Sequence, residues 1–417
     1  VHNYILILLV IGSLLLLVTL GSGRISRLPL SYALIYLLIG IFLGPYGINL
    51  IQIRPQASFL ERLTEIVVIV SLFSCGLKMN RPLNLSAWNS TIRLIAFLMP
   101  ISIFALALIS HWLLGLDFGS ALLLGAILAP TDPVLASDVQ LKDHDDVDEL
   151  RFGLTSEGGL NDALAFPFVY FGLYSLKDSQ WQNWFKEWVA VDLIWAIFAG
   201  LVVGVIVAKA VVWLDRRLQQ SSFDSMDELM EDFIALSIIL LSYSLTELVN
   251  GYGFLAVFIS GFVTQQSYRN PEKPYAQVIF TERLEKLLEV GTILLLGSLL
   301  RIEPIQYYFL DAVLIAGLLF FVIRPLGAWI STIGDRFPLR RWLFGWFGVR
   351  GVGSLYYLFY ALGKGLKDDL GEQIAWITFI TICLSIILHG ISSTPIMRRY
   401  ERLSEARKRK TSPNYLL

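Results

Sequence analysis

The sequence predicts an all-α polytopic membrane protein of about thirteen transmembrane helices, built as two inverted repeats with crossed, discontinuous helices. Three observations carry this prediction. The 417 residues are 55% hydrophobic and only 16% charged, with a mean hydropathy of +0.64, outside the range usual for soluble domains. Apolar runs long enough for a hydrocarbon core of about 30 Å recur between short polar breaks. Two of these runs carry strong helix breakers near mid-membrane, at the same ordinal place in each half of the chain.

The runs fall at 3–21, 31–50, 59–78, 90–115, 119–139, 150–175, 188–213, 231–249, 252–267, 283–301, 308–333, 341–362 and 372–392. The first, Tyr4 to Leu20, lacks a basic leading stretch and a small-residue cleavage site, so it reads as a retained helix rather than a signal peptide. The chain starts at Val1 rather than Met, and a few further residues are expected upstream. Cys75 and Cys383 both lie in apolar runs, which offers neither a disulfide framework nor a cysteine metal cluster.

An odd number of crossings puts the termini on opposite sides. The tail, with Arg398, Arg399, Arg402, Arg407, Lys408, Arg409 and Lys410, is expected in the cytoplasm and the N-terminus outside a cell membrane. In that frame roughly 23 of the 33 Lys and Arg lie at cytoplasmic ends or loops, the bias that orients membrane proteins. The basic tail is read as an anchor to anionic lipid. With a net charge of -1 and dispersed basic residues, no nucleic-acid partner is expected.

The fifth run contains Ala129-Pro130-Thr131-Asp132-Pro133, and the twelfth contains Gly345 to Gly353 with Arg350 among the glycines. A helix broken within the bilayer exposes carbonyls and amides that need partners or a hydrated cavity. Asp132 is suited to the amide end, offsetting its dipole as an N-cap does. The hydroxyl and carbonyl of Thr131 are hard oxygen donors for a monovalent cation. The Arg350 guanidinium is expected to hold carbonyls left unpaired by the glycines, as support for the break rather than as a ligand.

Asp162 lies about twelve residues into the sixth run, roughly 18 Å from its cytoplasmic end and so near the bilayer midplane. A carboxylate there costs about 2.5 to 3.5 kcal/mol and is functional by default; a group that burial brings into the range of cellular pH can trade a proton for a cation. Glu157 and Arg324 fall at matching depths, roughly 10 and 13 Å from the same side, which suggests an ion pair. The acidic stretch Lys142 to Glu149, with His144, reads either as solvated surface or as a funnel for cations. Glu61, Glu65, Asp192, Glu247 and Glu289 lie nearer run ends, and interfacial placement is expected for them.

Together, APTDP at Ala129 to Pro133, SEGGLND at Ser156 to Asp162, Arg324-Pro325 and GVRG at Gly348 to Gly351 resemble the NhaP/NHE-type sodium/proton antiporters, the monovalent cation:proton antiporter-1 family. GIFLGP at Gly40 to Pro45, GFLAVFISG at Gly253 to Gly261 and His389-Gly390 extend the resemblance over nearly the whole chain. It implies a homodimer in the lipid bilayer, with dimerisation helices in 1–89 and 188–307, a mobile core in 90–187 and 308–392, and a basic cytoplasmic tail in 393–417. It also implies that Asp162 is the cation and proton carrier with Asn161 beside it, that Thr131 and Asp132 sit at the crossing point, and that Glu157 and Arg324 are a stabilising pair. One departure is Gly158, where members of the family often have a Ser able to help ligate the ion.

The expected function is therefore secondary active exchange of a monovalent cation, sodium foremost and otherwise potassium or lithium, for protons by alternating access. Exchange is expected to be electroneutral, with no catalysis and no cofactor beyond the transported ions. The rivals are a channel, which needs a continuous polar pore, and an intramembrane aspartyl enzyme, for which Asp132 and Asp162 would have to face each other; Asn161 and Arg324 argue against the latter.

Overall fold

In the computed structural model, residues 31–51, 57–132, 135, 139–141, 146–221, 228–268, 272–366 and 368–411 are described, with isolated positions between 5 and 20. The first predicted run, Pro133 and the stretch from Lys142 to Asp145, His144 included, thus lie largely or wholly outside the described residues. The described chain is helical, and its order is α1 (Tyr32–Leu43), α2 (Ala57–Lys78), α3 (Asn89–Leu114), α4 (Phe118–Leu128), α5 (Glu149–Leu164), α6 (Phe166–Lys177) and α7 (181–221). There follow α8 (Glu228–Leu248), α9 (Gly253–Ser267), α10 (Glu272–Leu299), α11 (Ile302–Ser331), α12 (Pro338–Trp346), α13 (Val352–Gly363) and α14 (Asp368–Thr411).

Helix starts follow local chemistry. Ser31 caps α1, Asp117 caps α4 through the Gly119 and Ser120 amides, and Asp148 caps α5 through Leu150 and Arg151, each side chain accepting from amides that a first turn leaves unpaired. Four described helices, within α3, α7, α11 and α14, are individually long and apolar enough to span a bilayer. Helix α1 is shorter than the run 31–50 because Gly44 and Pro45 turn the chain after Leu43. The last helix overshoots its run instead: α14 continues through Pro395 to Thr411, 44 residues in all. Helices α3, α7 and α11 each contain a π-helical segment, at Leu94–Leu98, Trp188–Trp195 and Leu319–Ile323.

Two groups of helices emerge from the packing. Helices α1, α2 and α7 to α10 pack on one another, and α3, α4 and α6 pack together while α11 packs on α12, α14 and α3. Helix α5 and the half-helix α13 lie where the groups meet, against α2 and, for α5, α9. Burial of apolar groups does not distinguish a helix neighbour from lipid, so close van der Waals approach matters more. Helices α2 and α9 meet through Gly76 and Gly261, where an added Cβ would stand 2.3 Å from the Phe258 carbonyl oxygen and 2.4 Å from that of Phe73.

The two broken segments cross at the centre. Helix α4 ends at Leu128 and continues as non-helical chain through Asp132; α12 ends at Trp346 and α13 begins at Val352, with non-helical chain between. They are joined backbone to backbone, the Asp132 amide donating to the Val349 carbonyl at 2.8 Å.

Candidate ion site at the helix crossing

The crossing satisfies its own loose ends. The Val352 amide, first of α13, donates to Asp132 Oδ2, and the Leu135 amide donates to Asp132 Oδ1 at 3.3 Å. Asp132 therefore supplies the cap that Gly351, at the N-cap position, lacks. At the opposite ends, Arg350 donates through Nε to the Leu128 carbonyl and through Nη1 to the Gly348 carbonyl. Its own amide donates to Ser385 Oγ at 2.8 Å. Each break is thus held by a charged side chain, with Asp132 of one segment serving the amides of the other and Arg350 the carbonyls of both.

Around this crossing stand the remaining groups singled out from the sequence. Arg324 donates to both oxygens of Glu157 at 2.9 Å, and both residues are buried. Arg324 Nη2 also reaches the Phe347 carbonyl at 3.4 Å, so the pair is tied to the second break. Asn161 Nδ2 donates to Thr131 Oγ1 at 2.8 Å, joining α5 to the first break. Asp162, 3% exposed, sits near the end of α5, just before the bend at Ala165. Its carboxylate lies against Gly353, where a Cβ would come within 2.4 Å of Oδ1. Gly351 likewise leaves room for Asp132, with Oδ2 at 2.4 Å from an added Cβ.

Three buried oxygens, Asp162 Oδ1 and Asn161 Oδ1 on α5 and Ser354 Oγ on α13, have no hydrogen-bond partner among the described residues. Hard oxygen donors of this kind suit a monovalent cation, and one carboxylate among them supplies the charge. Gly158 is helical and buried, so it contributes no side-chain oxygen.

Reasoning from the sequence missed several participants. Tyr357 donates its hydroxyl to the Asp162 carbonyl. Ser385 and His389 of α14 support Arg350 and the end of α12, with His389 Nε2 at 3.0 Å from the Trp346 carbonyl. Lys78, at the end of α2, is buried, pairs with Glu282 at 2.7 Å and reaches Gln140 at 3.4 Å. Their common signal is a polar residue inside an apolar run. Glu65 and Asp192, both near run ends, are buried against neighbouring helices, Glu65 accepting from Tyr243 and paired with Arg62. Of the acidic stretch, Asp146 pairs with Arg151 and Glu149 with Arg81, so its described members are engaged rather than free.

A family profile described as "Sodium/hydrogen exchanger, transmembrane" matches residues 12–399. The chain belongs to the sodium/hydrogen exchanger family. Among its relatives is the "K(+)/H(+) antiporter NhaP" of Alkalimonas amylolytica, 28% identical over 396 residues, which cover 94% of this chain and 66% of that protein. The chain thus spans 66% of the length of that relative. The "Na(+)/H(+) antiporter 1" of Methanocaldococcus jannaschii is 26% identical over 421 residues, 93% of each chain. The solved structure of the sodium proton antiporter MjNhaP1 from that organism at pH 8 superposes with a TM-score of 0.71 at 24% identity, covering 94% of this chain and 98% of the other. The exchanger fold of multi-pass membrane helices with a crossed, discontinuous pair is accordingly the fold of this chain.

Proposed function

We propose that this exchanger moves a monovalent cation against protons, with Asp162 as the alternating carrier. What carries the reading is the contrast in partners at the crossing. Among the carboxylates there, those of Asp132 and Glu157 have hydrogen-bonded or ion-paired partners, whereas Asp162 keeps a buried carboxylate oxygen without one. A carboxylate in that setting is stabilised by either a proton or a cation, and binding one displaces the other. Thr131 and Asn161 orient the site, Asp132 and Arg350 hold the breaks, and Glu157 with Arg324 fixes α5 to α11.

By the same reading, the group α3 to α6 with α11 to α14 carries the site across a scaffold of α1, α2 and α7 to α10, in a homodimer with the C-terminus in the cytoplasm. Sodium is the foremost substrate. Potassium is the second reading, supported by the potassium antiporter related over 94% of this chain and by the absence of a hydroxyl at Gly158. The test is cation-driven proton movement in proteoliposomes with sodium, potassium and lithium in turn. Asp162→Asn should fold and exchange none of them; near-normal exchange by that variant would overturn the assignment.

A further inference from the structure

On the side of the turn at Asp178 to Gln180 lies a further buried carboxylate. Asp192 lies in the π-helical segment of α7 and is 7% exposed; such wide turns recur at functional sites. One turn earlier, Trp188 donates its indole N–H to the Pro167 carbonyl at 2.7 Å, so this stretch of α7 is docked on α6, just beyond Asp162 along the chain. The Tyr174 hydroxyl hydrogen-bonds the Asp192 carboxylate, yet Oδ2 is buried without a partner, and so is the hydroxyl of Tyr252, which is 4% exposed. The Tyr252 amide donates to the carbonyl of Ala196, four residues beyond Asp192, at 3.0 Å, which brings Tyr252 against the same stretch of α7. No ion pair joins a described Lys or Arg to it.

From there, packed aromatic rings connect to the helix that bears Asp162. Tyr252 stacks on Phe166 at 5.1 Å and on Tyr170 at 6.4 Å. The Tyr170 and Tyr360 hydroxyls are 2.6 Å apart. Phe166 meets the ring of Tyr357 at 5.1 Å, and Tyr357 donates to the Asp162 carbonyl. The other charged groups at this end include Glu187, five residues before Asp192 on α7, Glu247, which accepts from the Gly253 amide at 3.0 Å, and Lys364, whose Nζ is 5.3 Å from the Tyr360 ring. Carboxylate, phenol oxygens and aromatic faces are a donor set for an alkali cation.

We propose that Asp192, with the hydroxyls of Tyr174 and Tyr252, forms a second cation site through which an alkali cation passes between the Asp178 side of the membrane and Asp162. The proposal rests on the exchange reading above, and its test separates the two. First, half-saturation for sodium, potassium and lithium is measured in proteoliposomes for the unaltered protein, Asp192→Asn, Asp192→Glu and Tyr252→Phe. Asp192→Asn should raise half-saturation three- to tenfold with little change in maximal rate, Tyr252→Phe should raise it less, and Asp192→Glu should restore part of the loss. Second, thermal stability is followed against sodium, potassium and lithium chloride in an Asp162→Asn background, using choline chloride as the ionic-strength control. Stabilisation by an alkali cation should persist there and vanish when Asp192→Asn is added. Unchanged half-saturation in Asp192→Asn, or no alkali-specific stabilisation in the Asp162→Asn background, would overturn the second site. A loss of maximal rate alone would do so too, since it marks a structural role. If the unaltered protein exchanges nothing, the exchange reading fails while the stability experiment still decides the site.

Discussion

Glu157 and Arg324 form a buried fork-to-fork pair, each guanidinium Nη donating to its own carboxylate oxygen at 2.9 Å. The pair links α5, which bears Asp162, to α11, and through the Phe347 carbonyl it also reaches the second helix break. Removing one partner leaves a buried charge with nothing to offset it, typically a loss of about 3 to 5 kcal/mol. Glu157→Gln and Arg324→Leu should each lower the melting temperature in detergent, and the double variant should lose less than the sum. Additive losses would count against a direct energetic pair.

Arg350 serves two carbonyls from different chain segments at once, which a planar fork does and a single ammonium does poorly. Arg350→Lys should leave the Leu128 or the Gly348 carbonyl unpaired, costing about 1 to 3 kcal/mol. The expected outcome is a lower melting temperature with a proportional drop in exchange and no change in cation preference. A changed sodium to potassium ratio would instead make Arg350 part of the ligand shell.

Gly353 is where α13 lets the Asp162 carboxylate approach its backbone. An added methyl must push the carboxylate aside, and small displacements at a reacting group cost on the order of tenfold or more. Gly353→Ala should therefore depress exchange while leaving the protein folded. Gly317→Ala, where nothing lies within 4 Å of the new Cβ, should be neutral or slightly stabilising, by up to about 1 kcal/mol. Equal effects from the two substitutions, read in the same liposome assay, would contradict the geometry.

Charge per cycle is the fourth expectation. On the proposed reading Glu157 is offset by its partner Arg324 and Asp162 alone trades its proton for a cation, so the loaded site should stay neutral. Net movement of one charge would feel about 2.3 kcal/mol for each 100 mV. Reversal of sodium-driven exchange should thus be unmoved by an imposed diffusion potential. A reversal point that follows the voltage would require a second titrating group.

Much of this was readable because a bilayer penalises polarity so strongly. Asp162, Glu157 and Arg324 stood out as charges in apolar runs, and helical rise alone gave the last two matching depths. The residues across the break were legible for the same reason: Pro130 and the glycines beside Arg350 leave backbone groups that some side chain must meet. The sequence did not reveal the bonds to Tyr357, Ser385 and Gln140, because rotation about a helix axis and helix-to-helix register are set by packing among many equally apolar neighbours. The burial of Asp192 against its neighbours was not legible either, because distance from a run end says nothing about which way a side chain faces. The extent of α14 was hidden too, since polarity ends a membrane run without ending a helix.

That extension of α14 has a practical side. Beyond the apolar part of the helix, the Tyr400 hydroxyl donates to Asp148 at 3.0 Å and Glu401 pairs with Arg151, both at the first turn of α5. The projecting end of α14 is therefore clamped to the helix that bears Asp162, outside the apolar run. Leu403 beside the clamp is 46% exposed, whereas Cys75 is buried and Cys383 only partly accessible. On the exchange reading proposed above, α5 moves with the ion site. A fluorophore on Leu403→Cys would then ride with α5 as a pointer, so that its signal should report the carrier's movement optically although the cargo has no colour of its own.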